Sequence, residues 1–340
     1  MKKIPVVEAI GHPLAHDMTA IRDGTKGVAF RRGHVVQEVD IPTLLAMGKA
    51  HIYVGEPVPG QVHEEDAGLE GAKALAGSGL TIEGPAEGRY TLVADRDGLF
   101  TVNSGGLKTF NQIPDYTAAT LPSHTPVQAG QRVAGVRIVP LVTDSEHVET
   151  IRALGVSQGP LLTVRPFLPL KIGIIITGSE VYEGRIQDQF EPVLRAKLAP
   201  FDESVLGVAK CPDDLQTILQ AADAFLQQGA DLILFTGGMS VDPDDLTPTA
   251  IRQTGARVVA QGIPLQPGNM LMLAYLGKVP LVGVPGAAIH SRTTALDVVL
   301  PRIFVGDKLE TADCLTLGEG GFCLGCEVCS YPVCYFGQSL

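Results

Sequence analysis

The 340-residue chain contains no tryptophan, and its aromatic residues amount to 5%. Single-stranded nucleic acid is held by aromatic platforms along a basic groove, and the basic groove is missing too. Twenty-six Lys and Arg stand against 37 Asp and Glu, a formal net charge of −11, so no nucleic-acid partner is expected. No run of 18 apolar residues occurs, so no membrane span is expected. The opening MKKIPVVEAIGHPL has two lysines but no apolar segment behind them, which does not make a secretory signal. A cytoplasmic location is the expectation. Charged residues at 19% and hydrophobic ones at 45% describe a folded chain long enough for two or three cores.

Four regions are legible. Residues 1–60 alternate short strand-like runs with glycine turns and read as a small, mainly β module, with a helical patch at 41–47 and a strand at 51–54. Residues 61–168 are rich in glycine and proline and read as a β-rich middle domain with one helix near 64–76. Pro166 and Pro169 bracket a linker, after which residues 169–306 alternate strands with helical stretches of ten or more residues. That alternation predicts an α/β domain with a mostly parallel sheet. Strands are predicted over 172–176, 204–209, 232–235, 257–260, 270–275 and 279–284, and helices over 188–198, 212–228, 248–254 and 288–304. Residues 307–340 form a cysteine-rich tail.

The most informative stretch is ADLILFTGGMSVDPDDLTP, residues 230–248. A short apolar run ending at Thr236-Gly237-Gly238 reads as a central strand, and ligands of such sheets bind beyond the carboxyl ends of the strands. The two glycines let the backbone approach an anion, Thr236 and Ser240 add hydroxyl donors, and Asp242, Asp244 and Asp245 can hold a hard cation such as Mg²⁺ against a phosphate. A structural turn before a helix is the alternative. Asp242 and Asp244 also suit helix capping, as do Asp213 and Asp214 after Pro212. With a net negative field, an anionic ligand must be drawn by local N–H groups and a metal ion.

Residues 171–306 resemble the molybdopterin-binding domain shared by molybdopterin molybdenumtransferases and adenylyltransferases. The motifs are TGSE at 177–180, GRIQD at 184–188, PDD at 212–214, TGGMSV at 236–241 with Asp245, and the Pro-Gly pairs at 267–268 and 285–286. The AIGHPLAHD phrase is similar to the start of the molybdenumtransferase chain. The resemblance implies a three-layer α/β fold and an oligomer that binds molybdopterin or its adenylate and inserts molybdate into the dithiolene with Mg²⁺ and adenylate hydrolysis. It implies Glu180, Asp213 or Asp214, and Asp245 as the acidic metal-handling set, Asp245 holding Mg²⁺. Thr177, Gly178, Ser179, Asp188, Thr236, Gly237, Gly238, Met239, Ser240, Pro267, Gly268, Pro285 and Gly286 would line the phosphate and pterin pocket. A molybdoenzyme or another cofactor-assembly protein would be the partner.

The chain departs from the family at three places. Phe190 stands where an asparagine is usual after GRIQD. Pro267-Gly268-Asn269-Met270 replaces Pro-Gly-Lys-Pro, and Pro285-Gly286-Ala287-Ala288 replaces Pro-Gly-Asn-Pro. Charge-assisted hydrogen bonds are worth about 1.5–3 kcal/mol each, so binding with slowed turnover is the expectation. A non-catalytic molybdopterin carrier or sensor, with a metal-binding or redox tail, is the first alternative; a hydrolase of phosphorylated nucleotides is the second.

The tail runs Cys323-x2-Cys326-x2-Cys329-x4-Cys334. Four thiols so close together in a cytosolic chain suit tetrahedral ligation of zinc or of an iron–sulfur cluster. Disulfides or spare thiols are the alternatives. His290, just past Pro285-Gly286, is placed to reach a ligand. His12, His16, His34 and His51 show no metal spacing.

Overall fold

The computed structural model describes residues 1–22, 25–201, 203–240, 242–243 and 245–338, so Val241 and Asp244 of the acidic loop lie outside the described residues. Two compact units emerge. One comprises residues 1–95, 102–121 and 129–163, the other residues 96–101, 122–128 and 164–340.

The first unit opens with the strands Lys2–Pro5 and His51–Val54, paired antiparallel. Val6, Leu14, Leu44 and Ile52 form a small core beneath them. Its larger part is a four-stranded antiparallel sheet in the spatial order Leu80–Ala86, Arg89–Ala94, Arg132–Ile138, Tyr116–Thr120. The expected helix at 64–76 is present as Glu64–Leu75, with Glu64, Glu65 and Asp66 in the first turn and Lys73 in the last, each favourable to the helix dipole. It packs on the sheet and on a second helix, Ser145–Gln158, which the sequence reading missed. The signal was there in Val148, Ile151 and Leu154, apolar at helical spacing and buried.

The second unit is α/β, as the strand and helix alternation predicts. In chain order its elements are β1 (Leu170–Thr177), α1 (Ser179–Tyr182), α2 (Phe190–Leu198), β2 (Glu203–Cys211), α3 (Leu215–Gln227), β3 (Leu232–Thr236), α4 (Thr247–Gln253), β4 (Arg257–Gln261), β5 (Met272–Leu276), β6 (Val279–Val284), α5 (Ala287–His290) and α6 (Ala295–Phe304). The six strands lie in the order β2-β1-β3-β6-β5-β4. The first four are parallel, and β5 runs antiparallel to both of its neighbours. Side chains on β1 and β3 alternate between two cores. Ile172, Ile174, Leu232 and Leu234 face α2 and α6, while Ile175, Ile233 and Phe235 face α3 and α4. Burial on both faces is why these strands read as unbroken apolar runs rather than as alternating ones.

One predicted helix, 288–304, is two. Thr294 caps α6: its amide and hydroxyl both donate to Asp297 Oδ2, at 2.7 and 3.1 Å. The capping box stops α5 from running through Ser291–Thr294. Residues after α6 pack back onto this unit, where Cys314, Leu317 and Phe336 are buried in the core with α6.

Candidate functional site

From β1 the chain passes outward to β2 and then returns to β3 on the other side of β1, and the intervening helices α2 and α3 cover opposite faces of the sheet. The crevice beyond the carboxyl ends of β1 and β3 is therefore the topological switch point, where α/β sheets bind ligands. The motifs at 177–180, 212–214, 236–241 and 285–286 all lie at the ends of strands that finish at this edge.

A hydroxyl relay holds the two loops together. Thr247 Oγ1 donates to the Gly237 carbonyl at 2.7 Å and lies 3.1 Å from Thr177 Oγ1. Since each hydroxyl has one proton, Thr177 must donate to Thr247. Both threonines are buried, so the relay satisfies groups that would otherwise be costly inside. Gly237 has φ +84, and a β-carbon there would lie 2.0 Å from the Thr177 carbonyl oxygen. Only glycine fits this turn. Thr236 Oγ1 donates to the Val284 carbonyl at 3.2 Å, tying β3 to β6, while the Met239 side chain is buried and the one at Ser240 is exposed.

The acidic residues have separable tasks. Asp213 Oδ2 accepts both the amide and the hydroxyl of Ser179, at 2.8 and 3.0 Å, and its own amide donates back to Ser179 Oγ at 3.2 Å. Asp213 thereby fixes the start of α1. Asp214 is the N-cap of α3, its Oδ2 accepting Thr217 N at 2.8 Å and Thr217 Oγ1 at 2.7 Å. The Thr217 side-chain and backbone hydrogen bonds hold its carboxyl below the usual range. Of the two, the structure turns Asp213 toward the TGSE loop and uses Asp214 as a cap. Glu180 is exposed on α1. Asp245 Oδ2 accepts the amide of Asp242 at 3.2 Å, and its own amide donates to the Asp242 carbonyl, closing a turn.

Asp188 is different. Its Oδ1 accepts the amides of Phe190 and Glu191 at 2.8 and 3.4 Å, starting α2. Its Oδ2 is buried without a hydrogen bond, with Lys210 Nζ 3.4 Å away as an ion pair.

Beyond β4, Pro267 and Gly268 seat against α6. The Pro267 carbonyl accepts Ala295 N at 3.0 Å, and a β-carbon on Gly268 would lie 2.8 Å from that same nitrogen. Pro285 and Gly286 form the turn that opens α5, with Ala288 N donating to the Pro285 carbonyl. One contributor was invisible in the sequence. Lys197, from α2, has a largely covered side chain that donates to Asp297 at 2.7 Å and to the Arg292 carbonyl at 2.9 Å. Its helix gave no hint that it would reach across to the start of α6.

The family comparison falls on the same segment. Residues 173–304 match the model described as a probable molybdopterin binding domain. This segment is similar to the molybdopterin-binding domain family. Residues 3–56 match a separate domain of unknown function (DUF8806). Among curated relatives, the molybdopterin molybdenumtransferase of Synechococcus elongatus is 27% identical over 153 residues, 42% of this chain and 37% of the relative. That of Haemophilus influenzae is 24% identical over 212 residues, covering 60% and 50%. This chain thus spans half or less of the length of the molybdenumtransferases it matches. A CinA-like protein of Mycolicibacterium gilvum is 31% identical over 98 residues, 29% of this chain and 22% of the relative. The crystal structure of the molybdopterin biosynthesis enzyme MoaB from Thermus thermophilus overlays 41% of this chain and 98% of its own, at 21% identity and a TM-score of 0.33. No helix among the described residues is long and apolar enough to cross a membrane.

Proposed function

We propose that this chain binds molybdopterin or its adenylate in the crevice between β1 and β3 and serves molybdenum cofactor assembly as an enzyme of the molybdotransferase kind. The observation that carries the reading is the closure of the TGG turn on Thr177 at the switch point. The glycines seat the turn against Thr177 and Thr247, and the exposed Ser240 follows it where a phosphate would approach.

Gly237, Gly238 and Ser240 bind the phosphate, with Thr177 and Thr236 supporting the turn; Pro267, Gly268, Pro285 and Gly286 border the pterin. The donor set suits Mg²⁺, which takes one or two carboxylates together with phosphate oxygens. Asp213 and Asp245 are two such carboxylates, each oriented by a backbone N–H on Oδ2. Among the described residues no group of three or more His, Cys, Asp or Glu side chains is assembled for a metal. When bound, the ion would offset the charge that develops as the pyrophosphate is cleaved. Asp188, whose Oδ2 has Lys210 as its ion-pair partner, starts α2 beside the same pocket in this reading.

A second reading is a carrier that binds without turnover. It is favoured by the loops at 267–270 and 285–288, which carry Asn269 and Ala287 in place of a cation and an amide, and by Lys197, whose charge is spent on Asp297. Incubation with adenylated molybdopterin, molybdate and Mg²⁺ separates the two. AMP release that falls in Asp245→Ala supports the transferase; calorimetric binding with no AMP release supports the carrier. Nucleotide affinity with none for molybdopterin would sink both.

A further inference from the structure

All four tail thiols, Cys323, Cys326, Cys329 and Cys334, line one cavity of about 420 Å³, together with His290 and Arg292. None is in a disulfide. The chain on either side of them is anchored. Gln266 N donates to the Gly321 carbonyl at 2.7 Å and Cys323 N donates back to the Gln266 carbonyl at 2.8 Å. Farther on, Tyr331 Oη donates to the Asp297 carbonyl at 2.9 Å, and Phe336 is buried in the core. Between the anchors, residues 323–330 form no helix or strand, and Leu324 and Val328 are exposed. Cys329 is the fixed member, its Sγ 3.1 Å from Thr293 Oγ1 beside the first turn of α6.

We infer that this cavity is a second ligand site, for a thiophilic divalent cation of the zinc type held by the four cysteines. As placed, no three of these side chains are close enough together to hold an ion, so the segment 323–330 must close on Cys329 as the ion binds, metal binding and local ordering being one event. Each thiol gives up its proton, so four protons leave per ion bound and the site becomes anionic by two charges. Arg292, on the cavity wall, offsets that charge, and the N-terminus of α6 adds to it. Cys211 and Cys314 are excluded from the site. Both are buried away from this cavity, and burial pushes their thiols up, as expected of inert core residues.

The test is titration of the fully reduced full-length chain with Co²⁺, then Zn²⁺. The expected result is one equivalent of Co²⁺ with thiolate charge-transfer absorption and tetrahedral visible bands, bleached by Zn²⁺. Cys326→Ser, at an exposed position that need not disturb folding, is expected to weaken binding by roughly tenfold or more, since even partners one shell removed from a metal cost 10–100-fold. Unchanged affinity in that variant and in Cys323→Ser overturns the site. So does the absence of Co²⁺ absorption in protein whose thiols all titrate as reduced, or recovery of iron with labile sulfide from anaerobic preparations. Molybdopterin affinity is read separately, so the two sites stand or fall independently.

Discussion

Gly237 rests on Thr177 across the crevice with no space for a side chain, the nearest atom being the Thr177 carbonyl oxygen. The loop after β3 is therefore shaped by the end of β1, its neighbour in the sheet and not in the chain.

Gly237→Ala combines this overlap with a left-handed backbone. It should destabilise the domain by about 1–3 kcal/mol, measured by chemical denaturation, and weaken molybdopterin binding more than any change at Ser240. An alanine variant of wild-type stability would show that the turn is not held as described.

Thr247→Val removes the donor to the Gly237 carbonyl and the acceptor for Thr177 at one stroke. A loss of about 1–3 kcal/mol is expected, because two buried polar groups lose their partner. Thr247→Ser, which keeps the hydroxyl, should recover most of it.

Asp213 and Asp214 are adjacent but should behave oppositely. Asp214→Ala forfeits a helix cap and should lower the denaturation midpoint while ligand affinity stays within twofold. Asp213→Ala releases Ser179 and should lower affinity for the adenylate with little change in helix content. Calorimetry and circular dichroism on the pair would decide, and the reverse pattern would exchange their roles.

Acid should loosen the second unit through Asp307. Burial pushes its carboxyl up, but the hydrogen bonds and charges of Arg165 and Arg302 outweigh burial and hold it below the ordinary value of 3.8. A carboxyl lowered on folding stabilises fully above its unfolded pKa and loses that contribution as pH falls through the folded one. Stability should therefore drop below about pH 4 in the native chain. Asp307→Asn, expected to cost about 2 kcal/mol at neutral pH, should show a flatter acid limb in denaturation curves taken from pH 6 to 2.

The α/β unit was legible because local pattern and tertiary environment agree there. Runs such as LILF are buried on both sides, and a four-residue apolar run ahead of Gly-Gly is too short for a helix. Four of the motifs were legible because they follow strands that end at one edge of the sheet, which a parallel α/β reading already gathers on one side. What escaped depended on partners distant in sequence. Lys197 meets Asp297 a hundred residues away, and nothing in EPVLRAKLAP announces it. The division of labour between Asp213 and Asp214 hinged on which carboxylate meets Ser179, 34 residues earlier. The break between α5 and α6 was readable in principle, as Thr294 and Asp297 have capping-box spacing, but Asp stood in place of the usual Glu or Gln.

Gln266 engages the tail through both its amide and its carbonyl, immediately before Pro267. The loop at 267–270 therefore has a handle outside the crevice. Removing the residues after Gly320 would strip two backbone partners from Gln266 and leave the loop tied by the Pro267 carbonyl to α6 and by the Asn269 carbonyl to Ile263 N, and a bulky fusion at the C-terminus would pull on the same point. A protein prepared either way would report on a site already disturbed, and its affinities would differ from those of the intact chain even though no residue facing the ligand had been altered.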